Sequence, residues 1–272
     1  MKIILILIIF KDCLFGFLND VNVGAKQQSM GISGVADIED LFSAWWNPSS
    51  IGLNDKISVG AFLNFNETIP DYLLSSFAIK MNKPINWGLL VVNESVNEVI
   101  SQNRYILTIG KNILSKFALG INIKILHLIP AGYQENPSDS SLKSIIKFQY
   151  DLGILFKIFS NINFGFLMRD LIRNYDLNKI NTKYVVGIYG SFNIISFNTD
   201  LYWTENNFNI SFGIQKDITK NIILRAGLNR MNPSWGCEIK FPDMFFAKLL
   251  SFQYSNSQLL GSNHSLSLQI NF

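Results

Sequence analysis

Charged residues are scarce in this sequence. They make up 16% of its 272 residues, against about 25% in a typical soluble domain. The net charge of +3 and the lack of any block of like charges exclude a nucleic-acid partner. Hydrophobic residues make up 48% of the chain, and this much apolar surface excludes a disordered protein.

Long apolar runs are missing as well. The longest unbroken run, Ile3 to Phe10, has less than half of the ~20 residues that a membrane-spanning helix needs. A helical membrane protein is therefore excluded. The other structure that satisfies every backbone polar group inside a bilayer is a closed β-barrel.

Catalytic and metal-binding patterns are absent too. The sequence has no Gly-x-Ser-x-Gly motif, phosphate-binding loop or dinucleotide fingerprint. Its two histidines, His127 and His264, are predicted to lie at rim or girdle positions. We predict that Cys13 is removed with a leader peptide, which leaves Cys237 without a disulfide partner. The chain is thus predicted to be no enzyme, with no catalytic residue, metal or cofactor.

Residues 1–16 fit a secretory signal peptide. Met1-Lys2 supplies the positive start, and Ile3 to Phe10 supplies the apolar core. Two alternatives are a lipoprotein signal at Cys13, for which the preceding Lys11-Asp12 is the wrong context, and a strand of the mature protein.

From Lys56 onward, apolar and polar residues alternate with a period of two, which predicts β-strands with one apolar face. We predict an all-β fold in which residues 56–272 form an antiparallel transmembrane β-barrel of about 14 strands. The segment lengths fit the ~9–11 residues of a tilted transmembrane strand, and bacterial outer-membrane barrels have an even strand number. The predicted strands are 56–66, 72–82, 85–95, 103–112, 116–128, 146–159, 162–173, 183–192, 195–205, 208–218, 220–230, 233–241, 246–256 and 263–272.

The predicted connections alternate between tight turns and longer loops, which is typical of outer-membrane barrels. The tight turns fall at 83–84, 114–115, 160–161, 193–194, 218–219 and 242–243, and the longest loops at 129–145, 174–182 and 257–262. Two connections, 206–207 and 231–232, are short where the pattern expects loops. The order predicts a bacterial outer-membrane protein with both termini on the periplasmic side. Phe272 matches the terminal aromatic residue typical of such proteins and is the predicted assembly signal. A soluble all-β domain is a further alternative.

The two faces of the predicted strands differ in chemistry. One face carries Ile, Leu, Val and Phe and is predicted to face lipid, where a charge costs about 2–4 kcal/mol at mid-bilayer. The other face is predicted to line a wet lumen. Its candidate residues are Lys124, Lys147, Asp151, Arg169, Asp200, Arg225 and Glu238. Aromatic girdles are predicted from Tyr105, Tyr150, Tyr184, Trp203, Trp235 and Tyr254.

Residues 17–55 precede the first strand and lack its alternation. A barrel of about 14 strands is too wide for its wall side chains to fill, so we predict that this segment forms a hatch in the lumen. Its candidate hatch and gate residues are Gly24, Met30, Gly31, Trp45, Trp46, Asn47 and Pro48. The two tryptophans are predicted either to contact a ligand or to pack the hatch against the wall. Asp37, Glu39 and Asp40 either pair with Arg169 or Arg225 or form a solvated acidic turn.

This segment resembles the N-terminal region of FadL-like outer-membrane proteins, especially their PorV/PorQ branch. The resemblance lies in Gly24-Ala25-Lys26, Met30-Gly31, Ala36-Asp37 with Glu39-Asp40, Trp46-Asn47-Pro48-Ser49 and the C-terminal 260–268. It implies a barrel of 14 strands with a hatch in its lumen.

Two functions follow from the resemblance. The first is a passive conduit for small hydrophobic molecules, such as fatty acids, gated by the N-terminal segment. The alternative is a PorV-like structural or secretion-associated barrel that binds protein partners. The implied partners are outer-membrane lipid, a hydrophobic small molecule or secretion-system proteins.

Overall fold

The fourteen strands of the chain form one closed antiparallel barrel, in which β1 pairs with both β2 and β14. The computed structural model describes residues 21–97, 99–130, 144–171, 182–205, 207–244, 247–257 and 262–272. The strands are β1 Ser58–Asn66, β2 Tyr72–Met81, β3 Asn86–Val96, β4 Ile100–Leu114, β5 Phe117–Pro130, β6 Ile145–Phe159, β7 Ile162–Arg169, β8 Lys183–Phe192, β9 Ile195–Trp203, β10 Phe208–Asp217, β11 Ile222–Asn229, β12 Asn232–Met244, β13 Ala247–Ser257 and β14 Asn263–Asn271.

The predicted all-β barrel of 14 antiparallel strands is confirmed, with differences at some strand ends. β4 begins at Ile100 rather than at 103. β7 ends at Arg169 rather than at 173, because Asp170 turns the backbone with a φ of 61°. The predicted turn at 242–243 is wrong: Pro242 lies within β12 opposite Leu249. Proline is tolerated there because the pairing of β12 with β11 ends at Ile239, so Pro242 stands at an edge position.

Side chains alternate between the inside and the outside of the barrel along every strand. In β10, Phe208, Ile210 and Phe212 are exposed on the outer surface, while Ser211 is fully buried on the inner one. The outer surface is apolar around most of the barrel. An exposed apolar band of this kind is stable only against lipid or a partner.

The N-terminal part of the described chain, residues 21–55, lies inside the barrel, and we call it the inner segment. It contains two short helices, α1 (Ala25–Ser29) and α2 (Ser43–Trp46), and a 3₁₀ helix (Pro48–Leu53). α1 contacts β11 to β14, and the 3₁₀ helix contacts β3 to β6. The described residues contain no helix that is long and apolar enough to span a membrane.

The two ends of the barrel differ in their connections. At one end, which we call the short-turn end, four of the six connections that join strands have two residues, and the chain enters at Ser58 and finishes at Phe272. The other end, the long-loop end, carries the connections that contain residues 131–143, 172–181 and 258–261, which lie outside the described residues along with the predicted leader 1–16. The alternation of turns and loops therefore follows the predicted pattern, with the short β11–β12 turn at the long-loop end as the sequence indicates.

Candidate functional site in the barrel lumen

Ten inward-facing glycines form a belt on which the inner segment rests. A side chain at Gly120 would overlap the backbone of Pro48, and one at Gly213 would overlap the backbone of Met30. Several of the glycines are direct neighbours across strands, as in the row Gly110, Gly120 and Gly153. We call the set the glycine belt: Gly60, Gly88, Gly110, Gly120, Gly153, Gly165, Gly187, Gly213, Gly227 and Gly236. The missing side chains let the inner segment approach the wall backbone directly.

Wall side chains satisfy the backbone of the inner segment, much of which has no regular structure. Asp200 accepts hydrogen bonds from the amides of Gly34 (2.7 Å) and Val35 (3.1 Å). Further pairs join Ser267 Oγ to the Ala25 amide (2.9 Å), Ser234 Oγ to the Gly31 amide (3.0 Å) and Gln269 Oε1 to the Leu41 amide (3.1 Å). Each buried amide left unpaired would cost about 1–3 kcal/mol. The polar inner wall thus holds the inner segment in one position.

Asn47 is the most connected side chain of the inner segment. Its amide donates to the carbonyls of Val35 (2.8 Å) and of Ile154 on the wall (3.1 Å). Its Oδ1 accepts from the Ser49 amide (3.1 Å) and the Ser49 hydroxyl (2.6 Å), which caps the 3₁₀ helix that begins at Pro48. The residue is completely buried. Asn47 and Pro48 thus occupy turn-setting positions, which is what the sequence predicts for them.

Trp45 lies between two cations of the wall. The Lys124 ammonium is 5.7 Å and the Arg169 guanidinium 5.4 Å from the centroid of its ring. Arg169 also donates to the Trp45 carbonyl at 2.9 Å. Lys124 is paired with Asp151 (2.7 Å) and Asp170 (2.8 Å). The described contacts of Trp45 therefore fix both its ring and its backbone.

An apolar surface lines one side of the lumen. Trp46 is buried against it and donates its indole N–H to the Val23 carbonyl at 2.9 Å. The wall contribution comes from inward residues of β1 to β4, namely Phe62, Leu74, Ala78, Leu90, Val92 and Ile106, and the inner segment adds Leu41, Phe42, Trp45 and Trp46. A small apolar cavity opens between the two sets, beside Phe42, Trp45 and Leu90. We call this surface the apolar lumen patch.

The opposite side of the lumen is polar and ends in a cavity of about 220 Å³ at the short-turn end. Arg225 lines this cavity, pairs with Glu238 and donates from Nε to Gln215 at 2.9 Å. A second cavity of about 220 Å³ lies between Glu39 and the β6–β7 turn. The inward apolar side chains are therefore concentrated on β1 to β4, where Lys80, Glu94 and Arg104 also face inward, whereas the inward side chains of β9 to β14 are mostly polar.

The acidic residues of the inner segment do not form the expected pairs. Asp37 and Glu39 are paired with Lys26, at 2.7 Å and 3.6 Å, rather than with a wall arginine. Asp40 accepts hydrogen bonds from the Phe42 amide (2.8 Å) and from Gln253 (3.2 Å). The prediction that these acids pair with Arg169 or Arg225 is wrong. Lys26 belongs to the same segment and lies within ion-pair distance of Asp37 and Glu39, and Asp40 is hydrogen-bonded to Gln253.

Burial and charge shift the pKa values of two inner-segment groups. Burial raises the pKa of Asp40 above its ordinary value, and the nearby Lys26 opposes the shift. Burial lowers the pKa of Lys26, but Asp37 and Glu39 together raise it to a value above the ordinary one. Lys26 therefore stays charged, which fits its role as the partner of two carboxylates.

The predicted lumen residues face inward, but most of them are buried rather than solvated. Lys124, Asp151, Arg169, Asp200, Arg225 and Glu238 are each at most 5% exposed, and Lys147 is half-buried near the long-loop end. They contact the inner segment or one another, so the prediction of a wet lumen is wrong for all of them except Arg225 and Glu238, which line the polar cavity at the short-turn end. The inner segment fills most of the lumen and leaves the polar cavities beside Glu39 and beside Arg225 at the short-turn end.

The remaining candidates lie where the chain bends or ends. Gly24 (φ 97°) precedes α1, and Gly31 (φ 72°) follows it; Met30 is fully buried between them and the wall. A side chain at Gly31 would lie 2.5 Å from the Phe212 carbonyl. Phe272 lies at the short-turn end, 47% exposed, and its amide donates to the Ile57 carbonyl at 2.9 Å.

Within the described ranges, no group of His, Cys, Asp and Glu is arranged to hold a metal ion, and Cys237 is a free thiol. The glycine belt and the apolar lumen patch are the two features that the sequence analysis missed. Glycine at inward positions of ten strands was a signal for the first. The unbroken apolar run Leu89–Val92, which puts apolar side chains on both faces of β3, was a signal for the second.

No protein-family model and no curated protein matches this sequence. Solved structures share its fold. The monoaromatic hydrocarbon channel CymD matches with a TM-score of 0.63 at 12% identity, over 93% of this chain and 98% of that one. A Pseudomonas aeruginosa FadL homologue matches with a TM-score of 0.66 at 11% identity, over 93% of this chain and 99% of that one. The P. putida toluene transporter TodX matches with a TM-score of 0.65 at 11% identity, over 93% of this chain and 99% of that one.

These similarities establish the fold of the chain. They agree with the resemblance to FadL-like proteins and give no support to the narrower PorV/PorQ one. CymD and TodX are named for transport rather than catalysis.

Proposed function

We propose that this protein is an outer-membrane barrel that acts as a passive conduit for small hydrophobic molecules. The observation that carries the proposal is the apolar lumen patch, a buried apolar surface inside a barrel whose opposite inner wall is polar. An apolar molecule is more stable in contact with such a surface than in water, so the surface can carry it through the barrel. The names of the hydrocarbon channel CymD and the toluene transporter TodX support this class of cargo.

The inner segment is the proposed gate of the conduit. Phe42, Trp45 and Trp46 pack over the wall residues of the apolar lumen patch, so a molecule that passes along this wall must displace at least one of these rings. The hydrogen bonds from the wall hold the backbone in place, which makes a local movement of α2 less costly than release of the whole segment. We place residues 1–16 in a cleaved leader, residues 17–55 in the gate and both termini in the periplasm.

The first experiment compares two matched substitutions on opposite sides of the lumen. Val92 belongs to the apolar lumen patch, whereas Val185 on β8 packs in a separate cluster with Val35 and Leu167; both valines are buried. Uptake of radiolabelled toluene and of a long-chain fatty acid is measured in bacteria that lack their own hydrocarbon channels. We expect Val92→Asn to lower uptake at least threefold and Val185→Asn to leave it near the original level.

Equal amounts of folded barrel are verified by heat-dependent gel mobility. Equal uptake by both variants and by cells without the protein would exclude the conduit. Deletion of residues 17–55 tests the gate separately, because unchanged uptake in that variant would exclude gating but not conduction.

The alternative is a sealed PorV/PorQ-like barrel that binds secretion proteins. The dense hydrogen bonding between wall and inner segment is the observation that favours it. Mass spectrometry of the protein purified in detergent distinguishes the two functions. A bound apolar molecule that is lost in Trp45→Ala/Trp46→Ala supports the conduit, whereas a stoichiometric protein partner with no bound lipid supports the alternative.

A further inference from the structure

Six exposed lysines surround the short-turn end of the barrel on its outer side. Lys111 lies near the end of β4, Lys216 near the end of β10 and Lys248 near the start of β13, and the others lie in the connecting turns. Within the described ranges, none of the six has an ion-pair partner. We call the set the lysine rim: Lys83, Lys111, Lys116, Lys216, Lys220 and Lys248.

The exposed charges differ in sign between the two ends of the barrel. At the short-turn end, the described residues add Lys56 to the lysine rim, and Glu39, one of the few exposed carboxylates, is paired with Lys26. The exposed side-chain carboxylates described at this end are Glu39, Asp55 and Asp243. At the long-loop end, the exposed charged residues that the structure describes are Glu67, Asp71, Glu205 and Arg230. The short-turn end therefore carries a surplus of positive charge that the described residues do not neutralise.

The lysine rim is interleaved with the apolar outer surface. Lys111 stands between Ile109 and Ile113 on the outward face of β4, and these isoleucines are 37% and 49% exposed. Lys216 faces outward beside Ile195 on β9 and Leu224 on β11. A lysine in such a place can lay its methylene stem on the apolar surface and extend its ammonium group to a polar boundary. The lysine rim therefore marks the edge of the apolar band at this end.

We propose that the lysine rim binds the phosphate groups of anionic phospholipids in the leaflet at the short-turn end. Lysine is a common phosphate ligand, and each lysine near an anionic membrane surface adds to the attraction. The surplus of positive charge selects a lipid with a net negative head group, because the ammonium of a zwitterionic lipid already balances its own phosphate.

The arrangement of the lysines around the barrel favours lipid over a protein partner. The β4–β5 turn with Lys116 and the β10–β11 turn with Lys220 lie on nearly opposite sides of the ring of fourteen strands. One acidic protein docked on the outer wall would reach only one of these sides. Lipid surrounds the barrel and reaches both.

The test measures lipid selectivity at the barrel surface by electron paramagnetic resonance. The full chain is reconstituted in phosphatidylcholine bilayers that contain traces of spin-labelled phosphatidylglycerol or spin-labelled phosphatidylcholine with the same acyl chains. We expect the association constant of phosphatidylglycerol to exceed that of phosphatidylcholine roughly threefold or more at low salt, and the ratio to fall at high salt. In Lys111→Gln/Lys216→Gln the ratio should fall by about one third or more, because two of the six lysines are lost.

Lys157→Gln/Lys240→Gln is the matched control. These half-buried lysines belong to the same end but line the two lumen cavities, so the control removes the same charge without touching the lysine rim. Its ratio should equal that of the original protein. Equal association of both lipids with the original protein, or an equal decrease in both variants, would overturn the proposal. Binding of soluble polyglutamate without any lipid preference would also overturn it and would indicate an acidic protein partner.

The inference rests on the proposed membrane location but not on the conduit. Flotation of the protein with liposomes and heat-dependent gel mobility test that location separately. A barrel that inserts but shows no lipid preference would therefore refute the lysine rim alone.

Discussion

The side chain of Asn47 occupies the space that a side chain at Gly153 would need. Asn47 belongs to the inner segment and Gly153 to β6, 106 positions later in the sequence. From this position Asn47 bonds the Ile154 carbonyl on the wall at 3.1 Å and the Val35 carbonyl at 2.8 Å. The glycine therefore makes room for the residue that joins the wall, the middle of the inner segment and the start of the 3₁₀ helix.

The glycine belt predicts the effect of adding a single methyl group. In Gly120→Ala the new methyl overlaps the Pro48 backbone, which cannot move aside as a flexible side chain can. We expect a loss of about 2 kcal/mol or more in the free energy of unfolding, the usual scale for overpacking. Urea titration in detergent measures it, and limited proteolysis should show an inner segment that is cut sooner.

Gly190→Ala is the control for this prediction. Gly190 faces outward, and its nearest neighbours are the rings of Phe197 and Phe192, which can rotate away. A loss of stability in Gly190→Ala as large as that in Gly120→Ala would show that the contact with the inner segment is not the cause.

Much of the barrel could be predicted from sequence because its outside and inside differ in polarity at every second residue. β10 shows this alternation clearly, with Phe208, Ile210 and Phe212 outward. The inner segment could be placed in the lumen by exclusion, but its contacts could not be predicted. They depend on how strands far apart in sequence are staggered, as Gly120 and Gly153 are against Pro48. The sequence therefore predicts a wet interior, although the inner segment fills most of it.

Asn47 should be difficult to replace. Asn47→Ala removes the bonds to the Val35 and Ile154 carbonyls and the cap on Ser49. Because the site is fully buried, we expect a loss of about 2–4 kcal/mol in the free energy of unfolding. The exposed turn variant Asn221→Ala should change it by less than about 0.5 kcal/mol. Stability of Asn47→Ala equal to that of the control would contradict the assigned role of Asn47.

Asp40 should make the barrel less stable at high pH. Burial raises the pKa of Asp40 in the folded chain above its ordinary value of 3.8. The folded state then holds its proton to higher pH than the unfolded state, and stability is lost as the pH rises from 3.8 through the folded value. Asp40→Asn removes this loss, and its new N–H can donate to Gln253 Oε1, which has no described partner.

We therefore expect Asp40→Asn to gain about 1 kcal/mol at pH 8 and to show a flatter dependence of stability on pH. The measurement is urea unfolding between pH 4 and pH 9. Asp55→Asn is the control, because Asp55 is an exposed carboxylate outside the strands. A lower stability of Asp40→Asn at pH 8 would mean that the charged form of Asp40 is the one that the folded chain favours.

Trp45 should limit passage through the conduit by its size rather than by its polar atom. Its ring closes the apolar lumen patch and contacts Arg169 and Lys124, while its indole nitrogen has no hydrogen-bond partner among the described residues. Trp45→Ala should therefore raise uptake of radiolabelled toluene at least twofold, with a loss of about 3–5 kcal/mol in stability. Trp45→Phe keeps an aromatic ring at this position, so its uptake should stay close to the original value. If the two variants gave the same uptake with equal amounts of folded barrel, the ring of Trp45 would not be the barrier, and Phe42 or Trp46 would be the residue to replace next.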